Sequence, residues 1–100
     1  MEQESGMDIQ QTDDGKHGVF KLLDGEVIAG EMAYTWAGEE MLIIDHTDVN
    51  EDFRGQGIGR QLLDALIEFV HQRQVKVIPL CPFAKSVFDK DPSIRDVLKA

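Results

Sequence analysis

The chain has 100 residues, and its 19 acidic against 10 basic side chains give it a formal net charge of -9. This length predicts one small domain, and the acidic balance excludes a surface built to neutralise nucleic-acid phosphates, so we expect no nucleic-acid partner. One cysteine excludes an internal disulfide and a multi-cysteine zinc site, so we expect no metal. The acidic, polar N-terminal residues do not show the pattern expected of a signal peptide, and no apolar run approaches the ~18 residues of a membrane-spanning helix, so we expect a cytoplasmic protein with no membrane partner.

Residues 1–15 are acidic and polar, and we predict a disordered tail there, followed by a single domain over residues 16–100. The domain begins with a predicted strand over 17–23, a hairpin turn at Asp24-Gly25 and a longer strand over 26–36, in which Gly30 indicates a bulge or bend. A third strand over 41–49 begins apolar on both faces and is therefore predicted to be central. These three strands predict an antiparallel meander.

A long amphipathic helix is predicted over residues 56–73, because its apolar residues recur at helical spacing. A fourth strand over 75–80 follows, and then short helices over 82–90 and 92–99. Strand, helix and strand in succession imply a right-handed crossover that makes the strands at 41–49 and 75–80 parallel. The predicted fold class is therefore α/β (α+β), a mixed sheet in which the meander is followed by a β-α-β crossover and short C-terminal helices.

The loop before the long helix carries Gly55, Gly57 and Gly59, and we predict that it holds a phosphate group. Glycine lets a ligand lie against the backbone, and a helix start offers unpaired N–H groups at the positive end of the dipole. No Ser, Thr, Asp or Asn caps this helix start, and Arg54 and Arg60 flank the loop. The alternative is that water satisfies these amides and the glycines only turn the chain.

Two common phosphate motifs do not fit this loop. A dinucleotide-binding fingerprint would need a small residue where Arg60 stands, and the Gly-Lys-Ser/Thr of a P-loop is absent.

Two side chains near this loop are candidates for chemistry. The carboxyl ends of parallel strands meet at one sheet edge, so Val49, the glycine loop and Cys81 should lie together. Pro82 favours the first helical position, which places Cys81 at the helix start, where a thiol becomes more reactive; a small buried filler is the alternative. His46 can take a proton near neutral pH, but it shares a strand face with Leu42 and Ile44, which favours a structural histidine of the core.

The spacing Arg54-x-x-Gly57-x-Gly59 resembles the Q/R-x-x-G-x-G/A signature of the GNAT superfamily of acyl-CoA-dependent N-acetyltransferases. Together with His46-Thr47-Asp48-Val49 and Cys81-Pro82-Phe83, it is similar to a group of very small, single-domain GNAT-like proteins. The resemblance extends over most of the chain, from residue 17 to residue 98. It implies that acetyl-CoA binds between the splayed strands at 41–49 and 75–80.

The resemblance also implies roles for individual residues. The pantetheine of coenzyme A would contact the backbone of Thr47, Asp48 and Val49, and Cys81 would be the active-site residue. The pyrophosphate would be held by the amides of the glycine loop, namely those of Arg54, Gly55, Gln56, Gly57, Ile58, Gly59 and Arg60. Apart from the resemblance, the aromatic residues are most simply core, with Phe53 and Phe83 as candidate walls of the site.

The implied reaction moves an acetyl group from acetyl-CoA to an amine of unknown acceptor, such as a protein side chain, in a monomer or weak dimer. Cys81 could carry the acetyl group, or it could assist proton transfer while the amine attacks the thioester directly, with His46 as the other catalytic candidate. Many GNAT enzymes have a tyrosine as general acid in the helix after the last strand, but this segment has Phe88 and no tyrosine. A non-catalytic acyl-CoA-binding module and a protein-interaction domain are therefore the alternatives.

Overall fold

A computed structural model provides the structure, which describes residues 7–99. The strands are β1 (Met7–Asp13), β2 (His17–Asp24), β3 (Val27–Trp36), β4 (Met41–Val49) and β5 (Lys76–Pro79). The helices are α1 (Ile58–Arg73) and α2 (Pro82–Lys90), and 3-10 turns span Glu51–Phe53 and Pro92–Val97.

The strands form one sheet in the order β1-β2-β3-β4-β5. Each pair from β1 to β4 is antiparallel, whereas β4 and β5 are parallel and are joined through α1. The predicted α/β (α+β) class is confirmed, with its meander, its β-α-β crossover and its C-terminal helical segments. The ladder between β4 and β5 ends early, because the amides of Leu80 and Cys81 both donate to the carbonyl oxygen of Ile44, each at 3.1 Å.

The prediction of a disordered tail over residues 1–15 is wrong for residues 7–13, which form the edge strand β1. Its polar side chains gain partners that the sequence pattern did not reveal. Gln11 Nε2 donates to the hydroxyl oxygen of Tyr34 at 2.7 Å, and Asp13 accepts from the Tyr34 hydroxyl at 2.7 Å and from Trp36 Nε1 at 2.9 Å. The ordered domain therefore begins before residue 16, and residues 1–6 of the predicted tail lie outside the described residues.

The helices pack on one face of the sheet. Leu62 and Leu66 of α1 and Phe88 of α2 belong to one buried cluster with strand residues such as Met32 and Ile44. No helix within residues 7–99 packs on the opposite face, which we call the open face. Its central side chains are those of Val19, Glu31, Ala33, Ile43, His46 and Asp48.

A β-bulge in β4 decides which side chains lie on which face. Tyr34 pairs with Ile44 but Ala33 pairs with His46, so Asp45 is an extra residue that reverses the alternation beyond it. Thr47 and Val49 consequently lie on the helix-covered face, and His46 lies on the open face. The prediction of a core histidine is wrong, because the His46 side chain is 60% exposed. A second bulge lies at Ala29, directly before Gly30, where an irregularity was predicted.

Candidate functional site

The glycine loop and the start of α1 adopt the uncapped geometry that the sequence indicates. Gly55 and Gly57 have φ values of 80° and 71°, in the left-handed region that favours glycine. Gly57 occupies the N-cap position, no side chain caps the helix, and no acidic residue lies in its first turn. The first turn of α1 therefore contributes no carboxylate of its own to neutralise the positive end of the dipole.

Five backbone amides of this loop are open. Arg54 N donates to Glu51 O at 3.2 Å, and Gln56 N donates to Phe53 O at 3.3 Å, so two of the seven predicted amides are already used. The others donate to no acceptor within residues 7–99, and they belong to Gly55, Gly57, Ile58, Gly59 and Arg60. A cluster of unpaired N–H groups at a helix start is the arrangement that binds an anion.

A cavity of about 420 Å³ lies beside these amides, and we call it the loop cavity. It is lined by Val49, Phe53, Arg54, Gly55, Gly57, Ile58, Gly59, Arg60, Phe83, Val87, Lys90 and Asp91. Gly59 lets α1 and α2 approach here, since a Cβ at this position would lie 2.6 Å from Cζ of Phe83. Val49 and the glycine loop, which were predicted to lie together at one sheet edge, both line this cavity, and so does Phe83.

The two flanking arginines differ in their partners. Arg60 Nε donates to Asp64 at 2.8 Å and Arg60 Nη2 donates to Asp91 at 2.8 Å, and these hydrogen bonds raise the pKa of Arg60. Hydrogen bonds from Ser93 and then Arg60 lower the pKa of Asp91 to about 2. Arg54, by contrast, is in no ion pair within the described residues.

Lys90 is a lining residue that the sequence analysis missed. It lies at the end of α2, borders the loop cavity and has no carboxylate partner in the part of the chain that the structure describes. The helical spacing of Phe83, Val87 and Lys90 could have identified it, because residues separated by four and seven positions share one helix face. That face was not assigned because nothing in the sequence states how α2 packs on α1.

Cys81 lies at the N-cap of α2 and is 3% exposed. Its Sγ lies 3.2 Å from Oγ1 of Thr47, so the thiol is on the helix-covered face. Thr47 is two residues before Val49, and Cys81 is two residues before Phe83, so the pair lies next to the loop cavity in the gap where β4 and β5 diverge. Cys81 does not line the loop cavity, and its proximity to the glycine loop stays a prediction.

His46 and Cys81 do not lie on the same face of the sheet. His46 pairs with Ala33 on the open face, and its Nε2 lies 3.9 Å from a carboxylate oxygen of Asp48, which is also exposed. The structure therefore groups Cys81 with Thr47 and groups His46 with Asp48.

Within residues 7–99, no group of three or more His, Cys, Asp or Glu residues is arranged to hold a metal ion. The helices of this described region are all too short or too polar to cross a membrane.

Comparisons with known proteins give a consistent result. A family model described as GCN5-related N-acetyl-transferase matches residues 19–97. Protein NATD1 of Gallus gallus is 28% identical over 90 residues, which cover 89% of this chain and 82% of that protein. Protein NATD1 of Homo sapiens is 26% identical over 90 residues, which cover 89% of this chain and 80% of that protein.

Two solved structures extend the comparison. A GCN5-like protein from Staphylococcus aureus has a TM-score of 0.76 and 32% sequence identity, with 97% of this chain and 92% of that chain covered. A GNAT family acetyltransferase from Elizabethkingia anophelis with acetyl-CoA bound has a TM-score of 0.64 and 18% identity, with 76% and 65% covered, and this likeness concerns the fold alone.

Proposed function

The chain belongs to the GCN5-related N-acetyltransferase family, for which acetyl-CoA is the acetyl donor, and from that membership we propose the roles of its own residues in acetyl transfer to an amine. One observation carries the proposal: five amides without protein acceptors border a cavity that is otherwise largely apolar. Such a surface suits a ligand with an anionic diphosphate and a long, weakly polar arm, which is the chemistry of coenzyme A.

The amides of Gly55, Gly57, Ile58, Gly59 and Arg60 hold the pyrophosphate in this proposal. Hydrogen bonds to a charged group contribute about 1.5–3 kcal/mol each before the cost of ordering the ligand, so a few of them suffice for binding. Arg54 and Lys90 supply the positive charge, since neither is in an ion pair within the described residues. The guanidinium of Arg60 instead holds Asp64 and Asp91, which fixes the end of α2 beside the cavity.

The pantetheine arm lies along the part of β4 that has no β5 partner, against the backbone of Thr47, Asp48 and Val49. Beyond Ile44, this edge of β4 has no strand partner within the described residues, so its backbone groups can bond a ligand. Phe53 and Phe83 form apolar walls. This path leads from the amides toward Thr47 and Cys81.

Two routes for the transfer remain open to Cys81. In the first, the ammonium acceptor loses a proton and the amine nitrogen attacks the thioester carbonyl, so that a C–N bond forms and the C–S bond breaks. The Cys81 thiol gives its proton to the leaving coenzyme A thiolate and regains one from the acylated nitrogen. In the second, the Cys81 sulfur attacks the thioester carbonyl, its proton leaves with coenzyme A as the thiol, and the amine then attacks the acetyl thioester on Cys81, whose thiol regains a proton from the acylated nitrogen. The Thr47 hydroxyl, whose Oγ1 lies 3.2 Å from Sγ, can accept a hydrogen bond from the Cys81 thiol or donate one to its thiolate, and it can therefore orient the sulfur in both routes.

His46 takes the proton of the ammonium acceptor from the open face in this proposal, because it is exposed beside the gap between the strands. The acceptor is an amine on a small molecule or a protein rather than a nucleic acid, in keeping with a net charge of -9. We place the reaction in the cytoplasm, where a lone reduced thiol such as Cys81 persists, and expect a monomer or weak dimer.

The decisive test combines acetyl-CoA titration calorimetry with an assay of thiol release in the presence of an amine panel. We expect saturable binding, and we expect Cys81→Ala to keep the dissociation constant within about twofold while turnover falls about a hundredfold or more. Intact-mass analysis after incubation with acetyl-CoA separates the routes, since only the second leaves an acetyl group on Cys81.

Gln72→Ala, at an exposed position near the far end of α1, is the matched control and should change neither quantity. Absence of saturable acetyl-CoA binding would overturn the proposed function. Unchanged turnover in Cys81→Ala would remove Cys81 from the mechanism. Binding without transfer to any amine would identify a coenzyme-binding module, the alternative favoured by the buried Phe88 in the helix where many relatives have a tyrosine.

A further inference from the structure

The open face presents apolar side chains that nothing within residues 7–99 covers. Val19, Ala33 and Ile43 lie on three successive strands and are only partly buried. A sheet normally buries one face against another layer, and a contiguous apolar surface that stays uncovered commonly marks a contact with another molecule. This surface continues along β3 and β4 to their acidic end.

Like charges lie opposite each other at that end. Glu31 of β3 pairs directly with Asp48 of β4, and two carboxylates opposite each other on neighbouring strands are destabilising. Lys21 of β2 is the other cross-strand neighbour of Glu31, yet it makes no salt bridge within the described residues. Among the described residues, His46 is the one salt-bridge partner of Asp48, at 3.9 Å, and Asp45 accepts a hydrogen bond from Thr35 at 2.6 Å. Although Lys21 lies on this face, no carboxylate at this end is in a salt bridge with a lysine or arginine of the described residues.

The acidic end also adjoins the proposed coenzyme site. A cavity of about 280 Å³, which we call the acidic cavity, is lined by Ile28, Gly30, Glu31, Asp48, Val49 and Asn50. Val49 lines the loop cavity as well. A cation held between Glu31 and Asp48 would thus lie beside the strand along which the pantetheine arm is placed.

We propose that the open face docks a lysine-bearing segment of a protein, which presents an amine of that segment to the transfer site. Naming the acceptor in this way rests on the proposed function. The carboxylates of Glu31 and Asp48 match a lysine ammonium in charge, and the apolar walls of the acidic cavity match its aliphatic stem. The apolar row of Val19, Ala33 and Ile43 selects a polypeptide over a small polyamine, because a polyamine would leave this row uncovered.

The test maps binding of one defined probe, a 12-residue peptide with four lysines among apolar residues and a blocked N-terminus, by chemical-shift changes of backbone amides. We expect changes on the open face of β2, β3 and β4 and not around α1, and weaker binding as salt increases. Glu31→Gln/Asp48→Asn should weaken binding about five- to tenfold, as expected for two exposed charge pairs. Glu39→Gln/Glu40→Gln changes the net charge equally at the other end of these strands and should leave the affinity within about twofold.

Several outcomes would overturn the proposal. Equal losses in the two double variants would identify unspecific attraction to an acidic protein. Equal affinity for spermidine, or undiminished affinity for the same peptide with glutamines in place of lysines, would contradict a docked lysine segment. If sedimentation shows a dimer, and chemical shifts on the open face change with protein concentration, this face would be assigned to a contact with a second copy of the chain. Peptide docking is measured without coenzyme. Failure to bind acetyl-CoA would therefore contradict the proposed function, while the chemical-shift map of the peptide would still test the docking surface.

Discussion

Two cavities of equal size, about 420 Å³ each, lie at opposite ends of α1 and differ in how their polar groups are bonded. The loop cavity borders five amides that have no protein acceptor in the described region. The second cavity is lined by Asp13, Gly15, Trp36, Gly38, Glu39 and Arg73. Here Asp13 already accepts from Tyr34 and Trp36. Cavity volume therefore does not identify the site, whereas unpaired donors do.

The polar network of the second cavity holds the edge strand β1 on the core. Burial, and then the hydrogen bond to Asp13, raise the pKa of Tyr34 well above its usual range. Partial burial alone would raise the pKa of Asp13, but hydrogen bonds from Tyr34, Gly15 and Trp36 lower it below its ordinary value. Each group thus has its protonation state fixed by the other. Such a closed network contributes to stability, and the open amides at the other end contribute to ligand binding.

The largest effect that we expect concerns stability at Tyr34, which is hydrogen-bonded to Asp13 of the second cavity. In Gly18→Ala the added Cβ would lie 2.2 Å from Cζ of Tyr34, a buried ring that cannot move freely. We expect the free energy of unfolding to fall by about 3 kcal/mol, the upper end for overpacking, as measured by urea denaturation. In the double variant Gly18→Ala/Tyr34→Leu, the loss of unfolding free energy should be smaller than the sum of the losses in the two single variants, because the added Cβ no longer meets the tyrosine ring. A loss below about 0.5 kcal/mol in Gly18→Ala would contradict this account of the network.

A smaller effect is expected at the loop cavity, and it should appear in binding rather than in stability. In Gly59→Ala the added Cβ would lie 2.6 Å from Cζ of Phe83, but this ring is 37% exposed and can turn away. We expect the acetyl-CoA dissociation constant to rise about tenfold, equivalent to about 1.4 kcal/mol, while unfolding changes by less than 1 kcal/mol. Calorimetric titration beside urea denaturation measures both. A stability loss like that of Gly18→Ala, with binding intact, would reverse the comparison between the two ends.

The smallest effect that we expect is on stability in acid, to which one carboxyl group from each cavity contributes: Asp13 of the second cavity and Asp91 of the loop cavity. The folded-state pKa values of Asp13 and Asp91 lie below 3.8, that of Asp91 at about 2, so their ionised forms stabilise the fold above pH 3.8. This stabilisation should be lost as the pH falls from about 4 to 2, as urea denaturation across that range would show. Asp91→Asn should flatten the slope more than Asp13→Asn, because the pKa of Asp91 is lowered to about 2 and its side chain is only 28% exposed, whereas Asp13 is exposed and solvent screens it more strongly. Slopes equal to that of the unchanged chain would contradict both assignments.

The regular elements were predictable because local patterns determine them. Strand β4 and helix α2 have the predicted ends, and α1 begins two residues later than predicted. The strand at residues 7–13 was missed because its polar side chains resemble those of a tail. Their partners Tyr34 and Trp36 lie more than twenty residues away in sequence, so no local pattern could reveal them.

For the candidate site, the sequence predicted the uncapped glycine loop and the position of Cys81 at the start of α2, but it placed His46 on the wrong face of the sheet. Alternation along β4 assigned His46 to the face of Leu42 and Ile44, and one extra residue at Asp45 reversed it. Lys90 and the contact of Cys81 with Thr47 were also missed, because they depend on how α2 packs beside β4.

The sequence by itself determined the family, the order of the elements and an uncapped, glycine-rich helix start, since backbone preferences and capping are local. Only the tertiary structure decided which of those amides stay open, that Arg60 is taken by Asp64 and Asp91 while Arg54 is not, and which side chains share a face with Cys81. The physical reason is that hydrogen-bond partners and strand faces depend on packing between distant segments, where a single bulge changes every contact beyond it.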